Sequence, residues 1–252
     1  MGLAVLLVSA CGGERSPVPN PGAPGAGAQQ QLAQALVPAF TLINEGRSDE
    51  ARDLLDALPA TDADVVPYQV EFLRGLSFHK EQLFTQAREH FLRAIELQPG
   101  YEPSHHFLGY AQYNLGDLPA ARRAYEAHLA LRPDEGDDHF GIGQCDLDEG
   151  RLDEAARRFE TAIQLHRAAA ERGEDRGRSL SSCYTRLGDV RELRDDLSAA
   201  RRDYERAVSL WRANYEAWHK LASALERLGE PERAAHARSE GEAWRERVTG
   251  ER

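Results

Sequence analysis

Glycine at 75, 109, 143 and 188, alanine at 87, 121, 155 and 200, and an aromatic ring at Phe91, Tyr125, Phe159 and Tyr204 keep one register along this chain. The first three members of each set are 34 residues apart, and the fourth follows the third by 45. Such a period means tandem copies of one supersecondary unit, none of which buries its apolar face alone. Within each copy the apolar residues recur at helical steps in two segments. Polar turns such as Leu115-Gly116-Asp117 and Glu149-Gly150-Arg151 separate them, so each copy reads as a helical hairpin. Glycine inside a helix costs about 1 kcal/mol relative to alanine, and its return at one register predicts a compensating close approach. The expectation is that Gly75, Gly109, Gly143 and Gly188 face the small Ala87, Ala121, Ala155 and Ala200 across the hairpin. The aromatic four residues on would then fill space towards the next copy. Pro99 and Pro133 end second helices, because proline cannot continue the hydrogen-bond ladder.

At these residues the chain resembles the tetratricopeptide repeat, whose pattern is W-x2-L-G-x2-Y, then A-x3-F, then P. The matching positions are Leu108-Gly109, Ile142-Gly143, Tyr184-x2-Leu187-Gly188 and Trp218-x2-Leu221, with the alanine and aromatic pairs above. Five units follow at 68–101, 102–135, 136–169, 181–214 and 215–248, the last doubling as a charged C-terminal cap. A degenerate sixth, at 32–65, is marked by Asn44-Glu45-Gly46-Arg47, Ala51 and Leu55. The resemblance implies an all-α superhelix, an α–α solenoid of about five to six hairpins. Ala222 stands where the glycine belongs, and Arg167 and Arg212 replace the terminal proline. Residues 170–180 are an insertion. Its eleven extra residues, split as about four on one helix and seven on the next, would lengthen both by whole turns and keep the phase.

The chain has 252 residues, with 31 basic against 42 acidic side chains, a net charge of −11. No net positive field draws it to nucleic acid. The one long apolar run ends by Ala10, followed by Pro/Gly/Ala/Gln-rich sequence that offers little to bury. Leu3 to Val8, then Ser9-Ala10 before Cys11, resembles a bacterial lipoprotein signal peptide at 1–10, although no basic residue precedes the run. The resemblance implies lipidation at Cys11 and a flexible tether over 11–31. The localisation it implies is the cell envelope, at the periplasmic face of the outer membrane in a Gram-negative host. A cytoplasmic protein with a coincidentally apolar start is the alternative.

The sequence contains no glycine-rich phosphate loop, G-x-S-x-G or H-E-x-x-H. Acid pairs such as Asp146/Asp148 and Asp195/Asp196 fall at helix ends, where carboxylates cap or face solvent. His105, His106 and His139, beside Asp137 and Asp138, are the densest potential ligands. Equal register in stacked repeats, however, puts His105 and His139 about one helix spacing apart, long for sharing an ion. Cys145 and Cys183 sit at internal registers. No enzyme activity, cofactor or metal is expected.

In the tetratricopeptide family the first helix of each unit lines a concave groove. The register of that resemblance selects Phe72, His79, His106, Tyr110, Tyr113, Phe140 and Gln144 as peptide-binding residues, with Thr185, His219, Ser223 and the acidic Asp189, Glu192 and Glu226 further along. The basic and asparagine residues that grip a C-terminal carboxylate in some family members are absent. The resulting expectation is a non-enzymatic scaffold that binds a segment of a partner protein, its acidic half selecting basic flanks. One alternative is an envelope-assembly lipoprotein, pilotin-like, that uses its convex surface. The other is a metal-binding or enzymatic module built on the histidines.

Overall fold

The computed structural model describes residues 36–58 and 67–250. The expected signal peptide, Cys11, the tether and part of the 32–65 unit lie outside the described residues. Among those residues there are twelve α-helices and no strand. Two compact units divide the chain after Pro133. The first holds α1 (36–44), α2 (Ser48–Asp56), α3 (Pro67–Lys80), α4 (Phe84–Leu97), α5 (Glu102–Asn114) and α6 (Leu118–Leu131). The second holds α7 (Gly136–Asp148), α8 (Leu152–Glu171), α9 (Gly177–Leu193), α10 (Leu197–Leu210), α11 (Tyr215–Arg227) and α12 (Pro231–Thr249). Odd and even helices pair as hairpins. Inside each unit the second helix of one hairpin packs on the first helix of the next, as α4 does on α5 and α8 on α9. This is the all-α hairpin array that the period implies.

The turn inside each hairpin is set by one residue in the left-handed region: Gly46, Gln82, Gly116, Gly150, Asp195 and Gly229, with φ between 60° and 78°. Glycine adopts that conformation without steric cost. Side-chain caps then start several helices. Asp117 accepts from the Ala120 N–H at 3.1 Å, Asp196 from Ala199 at 3.0 Å and Asn214 from Ala217 at 3.0 Å.

The recurrent helical glycines face the rings rather than the alanines. A Cβ at Gly75 would lie 2.6 Å from the Phe91 ring, at Gly109 2.7 Å from Tyr125, at Gly143 2.7 Å from Phe159 and at Gly188 2.5 Å from Tyr204. The ring thus closes its own hairpin, where the expectation sent it towards the next copy. Ala87, Ala121, Ala155 and Ala200 are fully buried in the same layers. The first core centres on Leu36, Ile43, Phe72, Leu73 and Phe91, and the second unit divides its apolar residues between clusters around Phe159 and Tyr204.

The insertion is distributed differently from expectation. α8 takes the larger share, running 20 residues against 14 for α4, α6 and α10, while α9 has 17. The reason is local: Arg167 stands at the proline position, so nothing stops α8 until Gly173 turns left-handed with φ 90°. The extra turns keep phase, and His166 and Ala169 stay buried.

Candidate functional site

In the first unit the inner helices are α3 and α5. Phe72, expected in the groove, is a core residue: only 1% exposed, with ring centroids 5.3 Å from Tyr101, 5.6 Å from Phe107 and 5.8 Å from Phe91. His79 is half-buried among aromatic rings, 4.8 Å from Tyr110, 5.2 Å from Phe107 and 6.1 Å from Phe84. Its Nδ1 is buried with no hydrogen-bond partner among the described residues. Burial, with His106 and Lys80 nearby, pushes its pKa down to about 4. His106 is half-buried against the rings of Phe107, Tyr125 and His128, and Tyr113 is half-buried on the same helix. Tyr110 stays 43% exposed. Of the five residues selected in this unit, Tyr110 is therefore the one that presents an open surface.

The second unit contains a groove of about 440 Å³ that opens on its inner helices. α7 contributes Phe140, half-buried with its ring 5.7 Å from Phe159. α9 contributes Ser182, Thr185 and Arg186, one helical turn on a single face. The junction from α10 into α11 supplies Trp211, Asn214, Tyr215 and Glu216, and Val248 closes one end from α12. Gln144, half-buried on α7, does not line it. Phe140 and Thr185, both at the fifth position of their units, are thus the residues common to the expected register and this groove. Ser182 and Glu216 occupy the second family position, so register could have found them. Trp211 and Tyr215 lie at a hairpin junction, outside the first-helix positions from which the set was chosen.

The acids of this face do not form an open negative surface. Asp189, buried on α9, lies 2.8 Å from Arg186, 2.8 Å from the Lys220 ammonium and accepts from the Tyr204 hydroxyl at 2.8 Å. Glu192 is 2.6 Å from Arg227, and Glu226 pairs with Arg238. Arg186 also reaches both Glu216 oxygens, at 2.7 and 3.2 Å. Burial works against its charge, but Glu216 and Asp189 together hold its pKa above the usual value. The expected acidic half is therefore neutralised by its own cations.

Two histidines of the expected ligand cluster have protein partners. His105 Nε2 lies 2.8 Å from the Pro99 carbonyl, and His139 Nδ1 lies 3.3 Å from the Arg158 guanidinium. Cys145 and Cys183 are buried, and burial pushes the Cys183 thiol far above its ordinary pKa. Such a thiol is a poor nucleophile, since the thiolate is the reactive form.

Comparisons with known proteins bear on the fold. Residues 108–174 and 185–239 match the family model of the tetratricopeptide repeat. No curated protein matches the sequence. Among solved structures, residues 41 to the end of MamA from Desulfovibrio magneticus RS-1 share 16% identity, with a TM-score of 0.59, over 76% of this chain and 99% of that one. TTC0263, a tetratricopeptide protein of Thermus thermophilus, shares 19% at a TM-score of 0.57, over 76% and 97%. YrrB, described as a tetratricopeptide protein with an unusual peptide-binding site, shares 16% at 0.56, over 75% and 90%. Residues 108–174 and 185–239 thus match the tetratricopeptide repeat, and the chain as a whole shares the fold of tetratricopeptide proteins.

Proposed function

We propose that this protein is a non-enzymatic scaffold that takes an extended segment of a partner protein into the groove of its second unit, while a lipid on Cys11 holds it at the cell envelope. The observation that carries the first part is the groove itself. It is a concavity of about 440 Å³ walled by Phe140, Trp211 and Tyr215, with hydroxyl and charged groups interspersed. A few placed polar groups among aromatic walls is the composition of a recognition site. The fold likeness to a protein described as having a peptide-binding site is in keeping with a peptide ligand. The lipid rests on Ser9-Ala10-Cys11 after an apolar run.

Selection of peptides from an unbiased displayed library, followed by affinity measurement on purified protein, tests the groove. Ser182→Arg, which places a long side chain in its mouth, should weaken the selected peptides at least tenfold while leaving the melting temperature close to wild type. Peptides indifferent to Ser182→Arg, or crosslinks that come instead from outer-helix positions such as the 40% exposed Leu92, would move the contact to the convex face. Mass spectrometry of the mature N terminus tests the anchor. An acylated Cys11 is expected, and an intact Met1 overturns it.

A further inference from the structure

The groove of the second unit separates its polar groups into engaged and free. Thr185 Oγ1 donates to the Ser181 carbonyl at 2.8 Å and accepts from Asn214 Nδ2 at 3.1 Å. Asn214 Oδ1 accepts from the Ala217 N–H. Both Glu216 oxygens are held by Arg186, so the charges at that wall cancel. Ser182, Trp211 and Tyr215 line the groove, and the two hydroxyls and the indole N–H make no hydrogen bond among the described residues. All three can donate, and the indole can do nothing else. Around them stand the rings of Phe140, Trp211 and Tyr215 and the 54% exposed Val248. One face of Trp211 carries the Arg178 guanidinium, 4.5 Å from the ring centroid.

The complementary ligand is neutral, rich in acceptors, poor in donors, and faced with flat apolar groups. An ordinary extended peptide brings one N–H per residue. An oligosaccharide brings a hydroxyl donor at nearly every position, more than the Ser182 and Tyr215 hydroxyl oxygens can accept. A proline-rich segment brings carbonyls without N–H groups, and its polyproline II backbone is largely ordered before binding. Taking the groove as the partner-binding face, we propose that its occupant is a proline-rich segment of a partner protein. The pyrrolidine rings lie on Phe140, Trp211 and Tyr215, and the carbonyls accept from Trp211 and Tyr215.

The test uses the full chain, a labelled oligoproline, and a matched peptide in which alternate prolines are alanine. The oligoproline binds at least tenfold tighter than its match. Trp211→Phe and Tyr215→Phe, which keep a ring and delete a donor, each weaken it roughly fivefold, the loss of about one net hydrogen bond. Equal binding of the two peptides, or indifference to both phenylalanine variants, overturns the assignment. A proline-free library peptide that is lost on Ser182→Arg leaves the groove reading standing and overturns this one, whereas library peptides indifferent to Ser182→Arg overturn both. A cello-oligosaccharide that binds where oligoproline does not also overturns it. Residues 16–24 of this chain read SPVPNPGAP. If deleting them raises oligoproline affinity, the occupant is the protein's own segment and the assignment to a partner falls.

Discussion

One methyl group decides four positions in this protein. At Gly143 a Cβ would stand 2.7 Å from the Phe159 ring, which is fully buried and has nowhere to move. Gly143→Ala should therefore destabilise by about 1–3 kcal/mol, the usual range for overpacking, even though alanine is the better helix former. Where the ring is absent, the glycine is absent too. Ala39 precedes Ala51 and Leu55, and Ala222 precedes Ala234 and Arg238, at the spacings that elsewhere join glycine, alanine and aromatic. A double-mutant cycle with Phe159→Leu checks the pairing by urea unfolding. The double variant should be less destabilised than the two single losses added together, since the smaller side chain makes room for the methyl. Strict additivity would show that the glycine serves something other than the ring.

At the scale of the helical hairpin, the left-handed turn residue sits at one register six times, and at Gln82 it carries a side chain with φ 60°. Gln82→Gly should stabilise the protein by about 0.5–1 kcal/mol, read as a rise in melting temperature, because the relief of left-handed strain exceeds the added freedom of the unfolded chain. The same register explains how far the sequence is legible. Period, turn and ring are local repeats that every copy restates, so hairpins and their caps could be read directly. Register also gives a residue's angle around its helix, but not what closes over it. Phe72 and Phe140 hold the same position, yet Phe72 is sealed by Tyr101, Phe91 and Phe107 while Phe140 lines a groove. Trp211 and Tyr215 were missed because they lie at a hairpin junction. The acids at Asp189, Glu192 and Glu226 were legible as charges, but their neutralisers Lys220, Arg227 and Arg238 come from later helices of the fold.

Across the whole molecule, acidification should act with opposite signs at two buried groups. His79, in the first unit, is held neutral by burial with a pKa of about 4. The unfolded chain takes up its proton near pH 6.5, so its contribution is present above that pH and is lost as pH falls towards 4. Asp203, in the second unit, is fully buried 2.7 Å from Arg191, and burial outweighs that cation to raise its pKa to about 6. Its contribution is complete below the ordinary carboxylate range and is lost as pH rises through 6. Between pH 7.5 and 5 the first unit should lose roughly 2 kcal/mol at His79, while Asp203 returns about 1 kcal/mol to the second. His166, buried at the end of α8 and also lowered by burial, opposes Asp203 within that unit, so a melting curve mixes the two. Hydrogen exchange corrected for the intrinsic rate separates them. Relative to His79→Leu, wild-type protection in α3 and α5 should fall on acidification, and relative to Asp203→Asn, wild-type protection in α10 should rise. Wild-type and variant profiles that stay parallel across this range would mean that neither side chain changes its proton affinity on folding, leaving the acid response to the exposed carboxylates.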